Sequence, residues 1–120
     1  MKRPTGDISL IKGTLDLLVL KALTWGPQHG YGISQLLEAN AAGDLALDDS
    51  ALYQALHRLE GRRLVQAEWG VTRNNRKARF YTLTAAGRRE LEEQSVAFRR
   101  YLGFVSRVLA LESPIGPGGA

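Results

Sequence analysis

Apolar residues recur at helical spacing through the first part of the chain. Leu15, Leu18, Val19, Ala22 and Leu23 fall at i, i+3, i+4, i+7 and i+8, inside a helix predicted from Leu10 to Trp25. Leu17 and Leu20 add a second apolar face, so this helix is expected to be buried on most sides. Gly26-Pro27 stops it, because proline disfavours helical backbone in the residue before it. A shorter helix is expected from about Tyr31 to Ala41, with Ile33, Leu36 and Leu37 inward and Gly43 closing it. Asp48, Asp49 and Ser50 then offer capping and dipole-favoured groups to a third helix that runs to about Gly61.

After Gly61 the period changes from helical to alternating. Val65, Ala67 and Trp69 share one face of a run from Leu64, as in a half-buried strand, and Ala78–Leu83 is a second β-prone run. The polar, basic stretch between them contains Asn74-Asn75, a pair suited to positive φ in a turn. The two runs read as a β-hairpin. Thr84 then caps a long last helix through about Leu111. Its apolar positions Leu91, Phe98, Leu102, Val105 and Leu109 step by 7, 4, 3 and 4, a heptad seam, and Tyr101, Phe104 and Val108 widen it. So small a domain covers one face of such a stripe, and the other calls for a second copy of the chain. The expected organisation is an N-terminal arm at 1–9, a helix–hairpin domain at 10–83, a dimerisation helix at 84–112 and a loose Pro/Gly-rich tail at 113–120.

Charge adds a direction to this pattern. The net charge is +4, but residues 1–52 hold four basic and six acidic residues, 53–89 hold nine and two, and 90–120 hold three and four. The basic block therefore coincides with the third helix and the hairpin. That is the footprint expected of a polyanion partner, against the alternative of a solvated positive face or a dock for an acidic protein. On the third helix, Leu52, Ala55, Leu56 and Leu59 share the inward face, and Ser50, Gln54, His57, Arg58 and Gly61 lie opposite. Such a face suits a major groove, where Gln pairs with adenine and Arg with guanine, while Tyr53 and Arg62 at its sides suit phosphates. Arg73, Arg76 and Lys77 crowd the hairpin loop without an acid among them, and a phosphate backbone or minor groove offsets their repulsion. Arg79, within the second strand, has a structural role as its alternative. Arg88 and Arg89, at the start of the last helix, read as part of a general positive rim.

Other chemistry finds little support. Cysteine is absent, the two histidines, His29 and His57, stand at unrelated spacing, and no metal site or cofactor is expected. His29 reads as a turn or cap residue. Gly30-Tyr31-Gly32 lacks both the third glycine and the preceding strand of a dinucleotide loop. Ser50 has no base near it in the sequence, so no enzyme is expected. No apolar run approaches membrane-spanning length, no apolar signal core follows Met1–Asp7, and a cytoplasmic location is expected. Trp25 and Trp69 read as core or interface filler.

Several segments together resemble a known family. Gly13–Leu20 (GTLDLLVL), Gly26–Ile33 (GPQHGYGI), Leu52–Glu60 (LYQALHRLE) and Arg79–Gly87 (RFYTLTAAG) are similar, in order, to the PadR family of transcriptional regulators. The resemblance spans about residues 10–110. It implies a mainly α fold with a small β-hairpin: a winged helix-turn-helix followed by a long C-terminal dimerisation helix, of the small branch. It also implies a homodimer that binds palindromic promoter DNA, as a repressor released by a small-molecule effector. By position it puts Tyr53, His57 and Arg58 on the recognition helix and Arg76 and Lys77 at the wing. Effectors of such dimers bind between the last helices and the core, where Tyr101 and Phe104 are the candidate residues. Ala51 and Gln54 depart from the family's common glycine and proline, so the operator sequence cannot be borrowed from relatives.

Overall fold

A computed structural model describes residues 10, 11 and 13–114. The arm expected at 1–9 and the end of the expected tail, 115–120, lie outside the described residues. Among the described residues the order is α1 (Thr14–Ala22), β1 (Gln28–His29), α2 (Gly30–Ala39), α3 (Asp49–Gly61), β2 (Val65–Val71), β3 (Lys77–Leu83) and α4 (Ala85–Leu109). The mainly α fold with a small hairpin is the one expected. Four details differ, the first being that α2 ends at Ala39 with Asn40 as its C-cap, so Gly43 does not close it. α1 starts at Thr14 rather than Leu10, where the Thr14 amide donates to the Ile11 carbonyl in a turn, and it ends at Ala22 rather than Trp25. The hairpin also gains a third strand, since β1 pairs antiparallel with β3 (Gln28 opposite Tyr81, His29 opposite Phe80) and gives the order β1-β3-β2. Finally, Asp48 is the N-cap of α3 by position, but its side chain makes no capping hydrogen bond.

One core holds these parts together. α1 and its C-cap contribute Val19, Leu20 and Leu23, α2 Ile33 and Leu37, and β2 and β3 contribute Val65, Tyr81 and Leu83. From α3 come Leu52, Ala55, Leu56 and Leu59, each no more than 1% exposed, which is the face that its periodicity predicts. Burial of a side chain of this size stabilises by about 1.5–3 kcal/mol, so rotating α3 would be costly and its outer face is fixed in direction. His29 does act as a cap: its Nδ1 accepts the Gly32 amide at 2.9 Å and starts α2.

α4 is fastened to the rest of the chain over its first half, most firmly at its start. Thr84 Oγ1 accepts the Gly87 amide at 3.0 Å and donates to the Arg63 carbonyl at 2.8 Å, tying the helix to the end of α3. Gly87 is the buried residue of this helix, and a Cβ there would stand 2.0 Å from the Leu64 carbonyl oxygen. Of the heptad seam, Leu91, Phe98 and Val105 are half-buried, whereas Leu102 is 46% and Leu109 80% exposed.

Candidate nucleic-acid interface

The buried face of α3 divides the rest of the helix into three strips. Outward lie Ser50, Gln54 and His57, all exposed, with the Gln54 amide donating to Ser50 Oγ at 3.4 Å. Toward the sheet lie Tyr53 and Glu60. Toward α1 and α4 lie Arg58 and Arg62. Among the described residues, none of the three polar groups of this strip is held in an ion pair.

The two arginines differ from that strip. Arg58 forms a bidentate pair with Asp16 of α1, Nη2 to Oδ1 at 2.6 Å and Nε to Oδ2 at 3.2 Å. Hydrogen bonding to Asp16, partly opposed by desolvation, holds its pKa above the ordinary arginine value. Arg62 pairs with Glu90 of α4 at 3.3 Å, and the same Glu90 oxygen accepts from Gln94 at 3.0 Å. Arg79 pairs with Glu60 at 3.0 Å, and its guanidinium carbon lies 5.8 Å from the Tyr81 ring centroid. The structural alternative for Arg79 is therefore the observed arrangement. The buried Tyr81 phenol is pushed above its usual pKa by desolvation, with Arg79 acting in the opposite sense.

The wing tip presents the opposite arrangement. Residues 72–76 close the hairpin: the Thr72 amide donates to the Arg76 carbonyl at 2.8 Å, and Asn75 takes φ of 61°, as its residue type predicts. Arg73, Arg76 and Lys77 are exposed, and none of the three has an ion-pair partner among the described residues. Clustered cations without counter-charges are what a phosphate backbone neutralises.

Between α3 and the wing runs a cleft of about 510 Å³, lined by Tyr31, Tyr53, His57, Trp69, Lys77 and their neighbours. Tyr53 packs so closely over the start of α2 that a Cβ on Gly30 would come within 2.7 Å of its hydroxyl. Trp69 was expected inside the hairpin face but is 69% exposed, because the hairpin extends past the helices that cover Val65. Trp25 is likewise 72% exposed, with Lys21 Nζ 5.0 Å from its ring centroid. A second cavity, of about 370 Å³, lies between α1, the end of α3 and α4. Tyr101 lines it; Phe104, 57% exposed further along α4, does not. Among the described residues no group of three or more His, Cys, Asp or Glu side chains is placed to hold a metal ion.

This arrangement of helices and wing has known counterparts. Residues 19–93 match the transcriptional regulator PadR-like family. The chain belongs to that family. Its members are transcription regulators rather than enzymes. Among solved structures, the PadR-like chain is similar to a transcriptional regulator from Clostridium thermocellum, with a TM-score of 0.74, 22% identity, and coverage of 83% of this chain and 96% of that one. It is also similar to Bacillus subtilis PadR solved in complex with operator DNA, with a TM-score of 0.62, 20% identity, and coverage of 80% and 60% of the two chains. A curated relative, the uncharacterized protein X of Lysinibacillus sphaericus, is 27% identical over 84 residues, 70% of this chain and 77% of its own. An uncharacterized 37.1 kDa transposon protein of Streptomyces fradiae is 37% identical over 89 residues, 74% of this chain, and the match spans 24% of its length. Among the described residues no helix is long and apolar enough to cross a membrane.

Asp16, Glu60 and Glu90 were not anticipated as parts of this surface. Asp16 and Arg58 are separated by 42 residues, Arg62 and Glu90 by 28. No local spacing signals a partner at that distance, and only the packing of α1 and α4 against α3 brings them together.

Proposed function

We propose that this PadR-like regulator is a homodimeric, sequence-specific DNA-binding repressor of a palindromic promoter site, relieved by a small-molecule effector. The observation that carries the reading is the pairing of two surfaces. One is the outward strip Ser50, Gln54 and His57 on a helix whose buried face fixes its direction. The other is the wing tip with three cations that have no counter-charge in the described chain. The strip enters a major groove and Gln54 reads a base edge, while Tyr53, Arg73, Arg76 and Lys77 meet phosphates or the minor groove. The solved PadR with operator DNA supports the same use of this fold.

The exposed apolar residues Leu102, Val108 and Leu109 support dimerisation through the later part of α4, with Leu91, Phe98 and Val105 continuing the seam. A two-fold dimer sets two α3 helices about 34–36 Å apart, one turn of DNA. The cavity beside Tyr101 is the favoured effector position, and Phe104, which does not line it, is the weaker of the two candidates. Fluorescence anisotropy with the chain's own promoter tests the reading. Tight, sequence-selective binding that weakens steeply with salt is expected, and Arg76→Ala with Lys77→Ala should weaken it for every sequence. Absent or salt-independent binding would sink it.

A further inference from the structure

Three arginines border α3 and the hairpin, and each is held by a carboxylate of its own chain, whereas the wing-tip cations have no such partner among the described residues. Two of these pairs share an unusual asymmetry. The side chains of Arg58 and Arg62 are 53% and 56% exposed, but those of Asp16 and Glu90 are 21% and 20% exposed. The carboxylates are thus anchored in the protein while the guanidinium groups reach the surface beside the outward strip. Both carboxylates also wall the same cavity between α1 and α4.

We propose that Asp16 and Glu90 are affinity-setting residues, which restrain Arg58 and Arg62 in internal ion pairs and so lower the attraction of this flank of α3 for DNA phosphates. The proposal rests on the DNA-binding reading above and extends it to residues of α1 and α4 outside the outward strip of α3. The single 3.3 Å contact between Arg62 and Glu90 is weak enough for a phosphate to compete with it, whereas the bidentate Arg58–Asp16 pair holds its arginine more firmly. If the arginine stays with its carboxylate, one phosphate contact is missing. If it moves to a phosphate, the abandoned carboxylate takes up a cation from solution and offsets the counterion that the phosphate releases. Either way the net ion release per arginine is lower than it would be with a neutral amide in place of the carboxylate. Glu90 gives α4 a direct hold on the end of α3, since its carboxylate is also fixed by Gln94 of the same helix.

The test measures binding of the full chain to a labelled duplex of random sequence by anisotropy, from about 50 to about 300 mM KCl, for wild type, E90Q and D16N. Each variant is expected to bind about two- to five-fold more tightly per protomer at the middle of that range, with a log–log salt slope steeper by about 0.9 per protomer, about 1.8 for the dimer. The gain should vanish when the partner is also removed, in E90Q with R62A and in D16N with R58A. E112Q, which makes the same charge change just beyond the C-terminal end of α4, should leave the slope as in wild type. Thermal melting checks each fold, and if D16N does not fold, E90Q carries the test alone. Wild-type slopes in E90Q and D16N, or a gain that survives loss of the arginine, would overturn the proposal while leaving the DNA-binding reading intact. A wild-type chain that binds no duplex at the lowest salt would overturn both.

Discussion

Along α4, the residues up to Phe98 and those beyond it have different surroundings although they follow one apolar rhythm. In the first part Gly87 is buried beneath the Leu64 carbonyl, Leu91 packs on the core, and Glu90 holds Arg62. In the second, Tyr101, Leu102, Phe104, Val108 and Leu109 are between 46% and 80% exposed. Apolar surface left in water forgoes about 25 cal/mol per Å², so a stripe of this size is a standing incentive to association. A single helix thus serves two cores, one inside the chain and one that the proposed dimer completes. Periodicity reveals the stripe but not where one core ends and the other begins.

Substitutions in the two parts should separate these roles. The largest effect is expected from Leu102→Asp combined with Leu109→Asp, which places charges in the proposed seam and should weaken association by about 4 kcal/mol, roughly a thousandfold. Sedimentation should then find monomers with an unchanged far-ultraviolet circular dichroism spectrum, and a dimer that persists would move the interface elsewhere. Gly87→Ala acts on the other part. Its Cβ would stand 2.0 Å from the Leu64 oxygen and 3.2 Å from Leu83 Cδ2, so unfolding stability should fall by about 3 kcal/mol in thermal or urea denaturation. A wild-type midpoint would show that the start of α4 is not fastened there. Thr84→Ala, which loses the hydroxyl bonded to Gly87 and Arg63, should cost about 1 kcal/mol in the same measurement. The smallest effect should come from Leu109→Ala in a chain made monomeric by Leu102→Asp alone, less than about 0.5 kcal/mol, since nothing in the described chain covers that side chain.

Much of this was legible in the residues because it depends on near neighbours. The four inward positions of α3, the turn at Asn75, the Thr84 cap and the capping role of His29 follow from spacing and residue type within a few positions. The pattern failed where the outcome depends on distant packing. β1 is two residues long and follows Gly-Pro, so it has no alternation to read, and it exists because Phe80 and Tyr81 are placed opposite it. Trp69 keeps the strand's alternation but lies past the edge of the helical layer. Arg58 and Arg62 look like free groups on a helical wheel, and only the positions of Asp16 and Glu90 in space show otherwise. Of the candidate interface, the wing cations were readable as a group, while the ion pairs that temper the α3 flank were not.

The junction at Thr84 and Gly87 also bears on geometry at long range. α4 has 25 residues and is therefore a rod of roughly 37 Å, clamped at one end by a hydroxyl, an amide and a glycine too close to its neighbour to accept a methyl group. Tilting such a rod by about 10° about its clamp sweeps its free end through about 6 Å, nearly two base-pair steps of DNA. In a two-fold assembly that sweep is applied to both halves. In the proposed dimer, the half-site separation that the two α3 helices can span would then depend on the seating of two small residues outside the outward strip.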